Sequence, residues 1–266
     1  MGSIPDNEAL VSPCAQCVRH GNASALTYSG TNTWVLCAPG DGAALVVDPG
    51  PDDPAAPARI GAALARRGLR AAAVVLTHDH PDHAGRAAAA SALLGAPVLG
   101  RAAGTLAVGP LAVPGVSLTV EAVPLPGHSS DSVGLLVEED ALMVTGDMIF
   151  AQSPTMVCWP DGHMGDYLAS LDTLGRIVAE RGVERLLTAH GPVIERPTER
   201  IGQARRHRLS RLRQVVAAVR SGIPAEAEAL VEAIYNDVSP TLHEGALRSV
   251  NAQLRYAFDE GLLQEH

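Results

Sequence analysis

Residues 77–85 read THDHPDHAG and follow directly on the apolar run AAAVVL of residues 71–76. Three histidines and two aspartates therefore stand where a strand-like segment leaves the core. Left uncompensated, so many polar groups at a core edge carry a high desolvation cost. In an extended segment the side chains at i and i+2 share a face, so His78 and His80 point to one side. Asp82 and His83 follow as the chain turns through Pro81 and form a second group. Divalent cations remove the cost that such a cluster otherwise carries.

Three further positions repeat the arrangement, each where an apolar run gives way to a glycine-bearing loop: His128 in PLPGHSSDS, Asp147 in MVTGDMIF and His190 in LLTAHGP. One such histidine alone reads as a residue bonded within its own loop. Five of the ten histidines at strand-to-loop junctions point instead to a metal centre. Asp48 in VVDPG has two readings, a carboxylate that orients a ligand histidine or a turn former ahead of Pro49 and Gly50.

Around these motifs, short runs bounded by Gly, Pro and Asp predict strands near 31–37, 43–48, 72–77, 96–100, 117–125, 132–138, 141–147 and 183–190. Helix-length segments fall at 54–68, 85–95 and 164–182. Strands with helices interposed predict a layered α/β or α+β domain, two sheets packed together with helices outside. Beyond Glu195 the texture changes to three predicted helices at 199–221, 224–236 and 241–262, which places a boundary near Pro197.

The composition narrows the function classes. The first twenty residues lack the apolar centre of a signal peptide and no run is long enough to span a bilayer, so a soluble cytoplasmic protein is expected. Cys14, Cys17, Cys37 and Cys158 are too few and scattered for a disulfide framework, and the single CxxC at 14–17 reads as ordinary reduced thiols. All 20 basic residues are arginine, and a net charge of −9 disfavours non-specific nucleic-acid binding by the whole surface.

In these motifs the sequence resembles the metallo-β-lactamase superfamily. THDHPDHAG matches its THxHxDHxG signature in full, and PGHSSDS, TGD and AHGP match the later ligand motifs in order. The resemblance implies an αββα sandwich for residues 1–197, with two divalent metal ions at one edge of the paired sheets. It assigns His78, His80 and His128 to one ion and Asp82, His83 and His190 to the other, with Asp147 as the bridge. Nitrogen and oxygen ligands suit zinc first, and iron and manganese also fit. Aspartate at 147, where the zinc β-lactamases most often studied place cysteine, argues against antibiotic hydrolysis. Two such ions lower the pKa of a shared water from about 15.7 toward about 7 and polarise the scissile group. Asp82 is the candidate catalytic residue, orienting that nucleophile, and His163 in WPDGHMGDY is a candidate acid for the leaving group.

Within the superfamily, the spacing between Asp147 and His190 leaves no room for the insertion of β-CASP nucleases. The group around β-lactamase-like protein 2 fits better: SGTNTWVL, GDMIF, PDGHMGDYLASLDTL and AHGPVIERPTERI resemble its segments. Ala189 stands where a glycine is common, and Gln152-Ser153-Pro154 interrupts a usually glycine-bearing loop. This group implies a small winged-helix-like domain at 198–266. Its members cleave single-stranded RNA or hydrolyse carrier-protein thioesters, so a phosphodiesterase of the endoribonuclease kind is expected first and a thioester hydrolase second. The scarcity of aromatic residues weakens the RNA reading.

The C-terminal segment carries seven arginines against one glutamate over 198–220 and two arginines against eight acids over 221–266. A nucleic-acid-binding regulator with a vestigial hydrolase domain is the reading of another class. Glu244, Asp259 and Glu260 beside Arg248 and Arg255 on the last predicted helix make double-stranded DNA an unexpected partner. A substrate cap or a homodimer contact is compatible with catalysis.

Overall fold

The computed structural model describes residues 7–235 and 239–264. Strands β1 (Glu8–Ser12), β2 (Ala15–Arg19), β3 (Asn32–Leu36) and β4 (Ala43–Val47) are followed by helix α1 (Ala56–Arg66) and strand β5 (Arg70–Val75). The short helix α2 (Pro81–Ala84), helix α3 (Ala87–Leu94) and strand β6 (Val98–Leu99) complete a first sheet of order β1-β2-β3-β4-β5-β6. The second sheet takes β7 (Gly109–Pro110), β8 (Val120–Pro124), β9 (Val133–Val137), β10 (Leu142–Gly146), helix α4 (Met164–Arg181) and β11 (Arg185–Thr188), in the order β11-β10-β9-β8-β7. Helices α5 (Pro197–Arg220), α6 (Ala227–Ile234) and α7 (His243–Asp259) follow, with a 3-10 turn at Pro240–Leu242.

Each central strand is apolar on both faces, as a sheet covered on both sides requires. In β4, Leu45 and Val47 join Trp34 and Val75 of their own sheet in facing the other sheet, where they meet Leu135, Val144 and Leu187. Ala44 and Val46 point the opposite way, against Ile60, Ala63 and Leu64 of α1 and Ala90 of α3. On the far side Tyr167, Leu171, Leu174 and Val178 of α4 cover Leu136, Met143 and Leu186. The layers run helix, sheet, sheet, helix: the αββα sandwich expected of this sequence.

Sheet topology delivers the site. β4 and β5 run parallel. β10 runs parallel to β11 and antiparallel to β9, which is antiparallel to β8. The carboxyl ends of β8, β10 and β11 therefore share one edge of their sheet, and the loops that leave them carry His128, Asp147 and His190. β4 and β5 bring Asp48 and the 77–85 stretch to the same edge of the sandwich.

The structure adds elements that the sequence pattern did not announce. β1 and β2 form an antiparallel hairpin at the edge of the first sheet, and β7 is a two-residue strand. The predicted strands at 96–100 and 117–125 contract to β6 and β8. α6 opens at Ala227 instead of 224, and its predicted end at Asn236 lies outside the described residues. No strand occurs among the described residues after Pro197. Among the described residues no helix is long and apolar enough to cross a membrane.

Candidate metal centre

The seven ligand candidates come together in two adjoining clusters, one of His78, His80 and His128 and one of Asp82, His83, Asp147 and His190. In the first, Nδ1 of His80 lies 3.0 Å from Nε2 of His78 and 3.1 Å from Nε2 of His128. In the second, Nε2 of His190 lies 3.1 Å from Oδ2 of Asp82 and 3.4 Å from Oδ1 of Asp147, while Nε2 of His83 lies 3.3 Å from that same Oδ1. The other Asp147 oxygen, Oδ2, faces Nε2 of His128 at 3.6 Å. Asp147 thus presents one oxygen to each cluster, the geometry of a bridging carboxylate.

Four of the five histidines are aimed from behind. Nδ1–H of His83 donates to Oδ2 of Asp48 at 2.9 Å, and Nδ1–H of His128 donates to the Met156 carbonyl at 2.8 Å. The Thr77 hydroxyl donates to Asp48 at 2.7 Å and so accepts from Nδ1–H of His78 at 3.0 Å. Nδ1 of His190 faces the Gly30 carbonyl at 3.4 Å. Anchoring at Nδ1 fixes the tautomer and leaves each Nε2 lone pair turned inward. Asp48 joins its two sequence readings: it holds a left-handed turn at φ +52° and its carboxylate supports His83 and Thr77.

Nε2 of His83, Nε2 of His190 and Oδ1 of Asp147 are buried without hydrogen-bond partners. Orphaned acceptors converging on one point are costly unless a cation sits among them. The donor set, imidazole nitrogens and carboxylate oxygens, fits divalent ions of the zinc and iron type. Electrostatics follow the same arrangement. Burial disfavours charge on His83, yet Asp147 and Asp48 outweigh it and raise its pKa well above the ordinary imidazole value. Burial opposes ionisation of Asp147 as well, but His83, His190 and His128 hold its carboxyl well below the usual range. His78 moves the other way, its pKa well below the ordinary value through burial and the neighbouring His83. A proton and a metal compete for the same inward nitrogens.

Backbone conformation sets two of these ligand candidates. Gly146, ahead of Asp147, has φ +51°, and a Cβ there would lie 2.7 Å from the Thr77 hydroxyl oxygen. Gly127, ahead of His128, has φ +129°, and its Cβ would lie 2.3 Å from the Tyr167 backbone.

The clusters open into a cleft of about 450 Å³. His80, Asp82, His128, Asp147 and His190 form its floor, and Leu26, Tyr28, Phe150, Pro154, Met156 and Leu242 form much of its wall. Arg248 of α7 stands at its side together with Asp161 and Cys158. Tyr28 contacts the Ser153 hydroxyl, and burial raises its pKa, with Asp147 adding to the shift. Sequence reasoning singled out none of Tyr28, Met156, Asp161 and Leu242 as functional residues, because each reaches the cleft from a loop or turn without periodicity. His163 does not line the cleft: it caps α4, with Nδ1 accepting from the Asp166 N–H at 3.4 Å.

Residues 26–112 match the family model described as the metallo-beta-lactamase superfamily. A beta-lactamase-like protein 2 homolog from Caenorhabditis elegans is 24% identical over 55% of this chain and 47% of its own. An atrochrysone carboxyl ACP thioesterase from Passalora fulva is 31% identical over 82% of this chain and 65% of its own. The chain thus spans about half of the nematode relative and about two thirds of the fungal one. A metallo-beta-lactamase family protein of known structure from Thermus thermophilus superposes with a TM-score of 0.76 at 20% identity, over 95% of both chains. Motif, relatives and layer order agree: the chain has the metallo-β-lactamase fold, carries the ligand motifs of that superfamily in order, and is similar to the β-lactamase-like protein 2 homologues.

Proposed function

We propose that this protein hydrolyses thioesters of small or carrier-bound acyl groups with two divalent ions, zinc being the first choice. The observation that carries this choice is the wall of the cleft. Leu26, Phe150, Pro154, Met156 and Leu242 offer apolar surface to an acyl chain, while Arg248 is the one arginine lining it among the described residues. A groove for single-stranded RNA needs a row of cations along the phosphates and aromatic platforms for the bases. This ordering reverses the sequence-based preference for a phosphodiester. The fungal relative named as an acyl-carrier thioesterase supports the same substrate class.

Bound at the two clusters, divalent ions would supply Lewis acidity and bring water within reach of deprotonation near neutral pH. His78, His80 and His128 would hold one ion and Asp82, His83 and His190 the other, with Asp147 shared. Asp82 is the more exposed carboxylate of the set and lines the cleft beside His190, where it would orient the attacking water. The leaving group needs little assistance, since a thiol has a pKa of about 8.5 and departs as thiolate without a strong acid. Residues 1–197 carry every ligand, and residues 198–266 contribute Leu242 and Arg248 to the mouth. A wing for duplex DNA has no support in this arrangement, because Arg248 and Arg255 are both turned onto Trp159.

The test is a parallel assay of the zinc-loaded protein on an acyl thioester, S-lactoylglutathione, single-stranded RNA and a generic phosphodiester. Turnover of a thioester, abolished in His80→Ala, is the expected result. Cleavage of RNA with no thioester turnover would overturn the substrate class.

A further inference from the structure

The loop between Val157 and His163 carries an acidic residue that the ligand set leaves unused. Oδ1 of Asp161 accepts from the Ser130 backbone N–H at 3.1 Å and from the Ser130 hydroxyl at 2.9 Å. Its other oxygen lies 3.4 Å from Nε2 of His80. Nδ1 of that ring is the atom facing His78 and His128. His80 is therefore the reverse of the other four histidines, inward through Nδ1 and backed at Nε2. The loop is gripped from α7. Arg248 Nε–H donates to the Trp159 carbonyl at 3.1 Å, the Trp159 N–H donates to the Arg248 carbonyl at 3.2 Å, and the Arg255 guanidinium lies 5.4 Å from the centre of the Trp159 ring.

A neutral imidazole carries its proton on one nitrogen, and a carboxylate can only accept. Asp161 therefore favours the form with the proton on Nε2, which leaves the Nδ1 lone pair free for an ion. We infer that Asp161 is a positioning residue that sets the tautomer and ring orientation of His80, and that α7 holds it in place through Trp159. The inference rests on the metal-binding part of the functional reading and is independent of the thioester choice. The bland alternative is a half-exposed carboxylate whose bonds to Ser130 merely close the loop, and it predicts no change in ion affinity when the charge is removed.

Asp161→Asn separates the two. The amide oxygen can keep both Ser130 bonds, while the amide nitrogen turned toward Nε2 donates to it and drives the ring proton onto Nδ1, the side an ion needs. Zinc affinity of the chelator-stripped full-length protein is measured by competition with a chromophoric chelator, alongside thermal unfolding of the ion-free proteins. Wild type is expected to bind two ions. D161N is expected to hold one of them about 10–100-fold more weakly. D161E should recover most of that loss, and the ion-free unfolding midpoint should not change. Arg255→Ala should produce a smaller weakening in wild type and none in the D161N background, since both act through one loop. Unchanged affinity in D161N overturns the inference, as does a matching fall in the ion-free midpoint, which would mark a structural role. A wild type that binds no ion overturns both this inference and the functional reading. Weakened binding in D161N upholds the inference even where no thioester is turned over.

Discussion

His20 sits in a buried pocket beside the turn that carries Asp48, 1% exposed. Its Nε2 lies 2.7 Å from the Thr33 hydroxyl, which itself donates to the Asp48 carbonyl, so Nε2–H donates and Nδ1 is bare and buried without a partner. Burial, with a contribution from Arg59 that outweighs Asp53, lowers its pKa from 6.5 to about 4. The folded value lies below the unfolded one, so its stabilising contribution is complete above about 6.5 and is lost as pH falls toward about 4. Ion-free protein should lose on the order of 3 kcal/mol across that window through this residue. Urea titrations at several pH values should show a shallower acid loss for His20→Gln than for wild type, and identical slopes would refute the assignment. Nothing in the sequence marks His20, because its environment is assembled from β3 and the turn after β4. Four of the seven ligand candidates were legible for the opposite reason: His78, His80, Asp82 and His83 lie within six residues, while His128, Asp147 and His190 showed through their own glycine-bearing motifs. Asp48 was half-legible, since a VVDPG turn says nothing of the Thr77 and His83 groups that converge on it.

Strand ends, more than strand interiors, decide the site. β10 stops at Gly146, whose φ of +51° turns the chain so that Asp147 drops between the clusters. A side chain here meets two penalties, an unfavourable left-handed backbone and contact with the Thr77 hydroxyl that bonds Asp48. Gly146→Ala should destabilise the ion-free fold by about 1–3 kcal/mol and weaken ion binding, measured by denaturant unfolding and chelator competition. Wild-type values in both would show that the turn relaxes freely. The long buried strands were readable because both faces are covered and their apolar runs are continuous, as in LVV of β4 and LLV of β9. The β1–β2 hairpin escaped notice because β1 is an edge strand with Leu10 exposed, a register shift and only two residues between it and β2. Its pattern has neither a period of two nor a turn signature of the usual kind.

At the scale of the molecule, the C-terminal helices act as a brace for the cleft. Ile201 and Ala204 of α5 and Ala252 of α7 belong to the same apolar cluster as Leu125, Met143 and Tyr167. Arginines extend that contact to the cleft wall: Arg200 donates to the Phe150 and Ser153 carbonyls, and Arg208, buried at 5% exposure, donates to the Thr155 carbonyl. Two of the seven arginines of residues 198–220 are thus spent on backbone carbonyls. No periodicity could reveal this, since the acceptors lie some fifty residues upstream. Under the proposed division at Pro197, a chain ending there would retain all seven ligand candidates. It would also expose the apolar surface of α4 and leave the segment from Phe150 to Asp161 without its donors. Each fully buried Val, Leu or Ile whose cover is lost costs about 1.5–3 kcal/mol. Residues 1–197 alone should therefore unfold at markedly lower temperature and bind zinc more weakly without losing it. They should also lose discrimination between short and long acyl thioesters, because Leu242 and Arg248 leave the mouth of the cleft. Calorimetry, zinc competition and a chain-length series read these three effects separately. A truncated protein with full-length stability and unchanged chain-length preference would show that the helices are a passive appendage, and the brace would have to be abandoned.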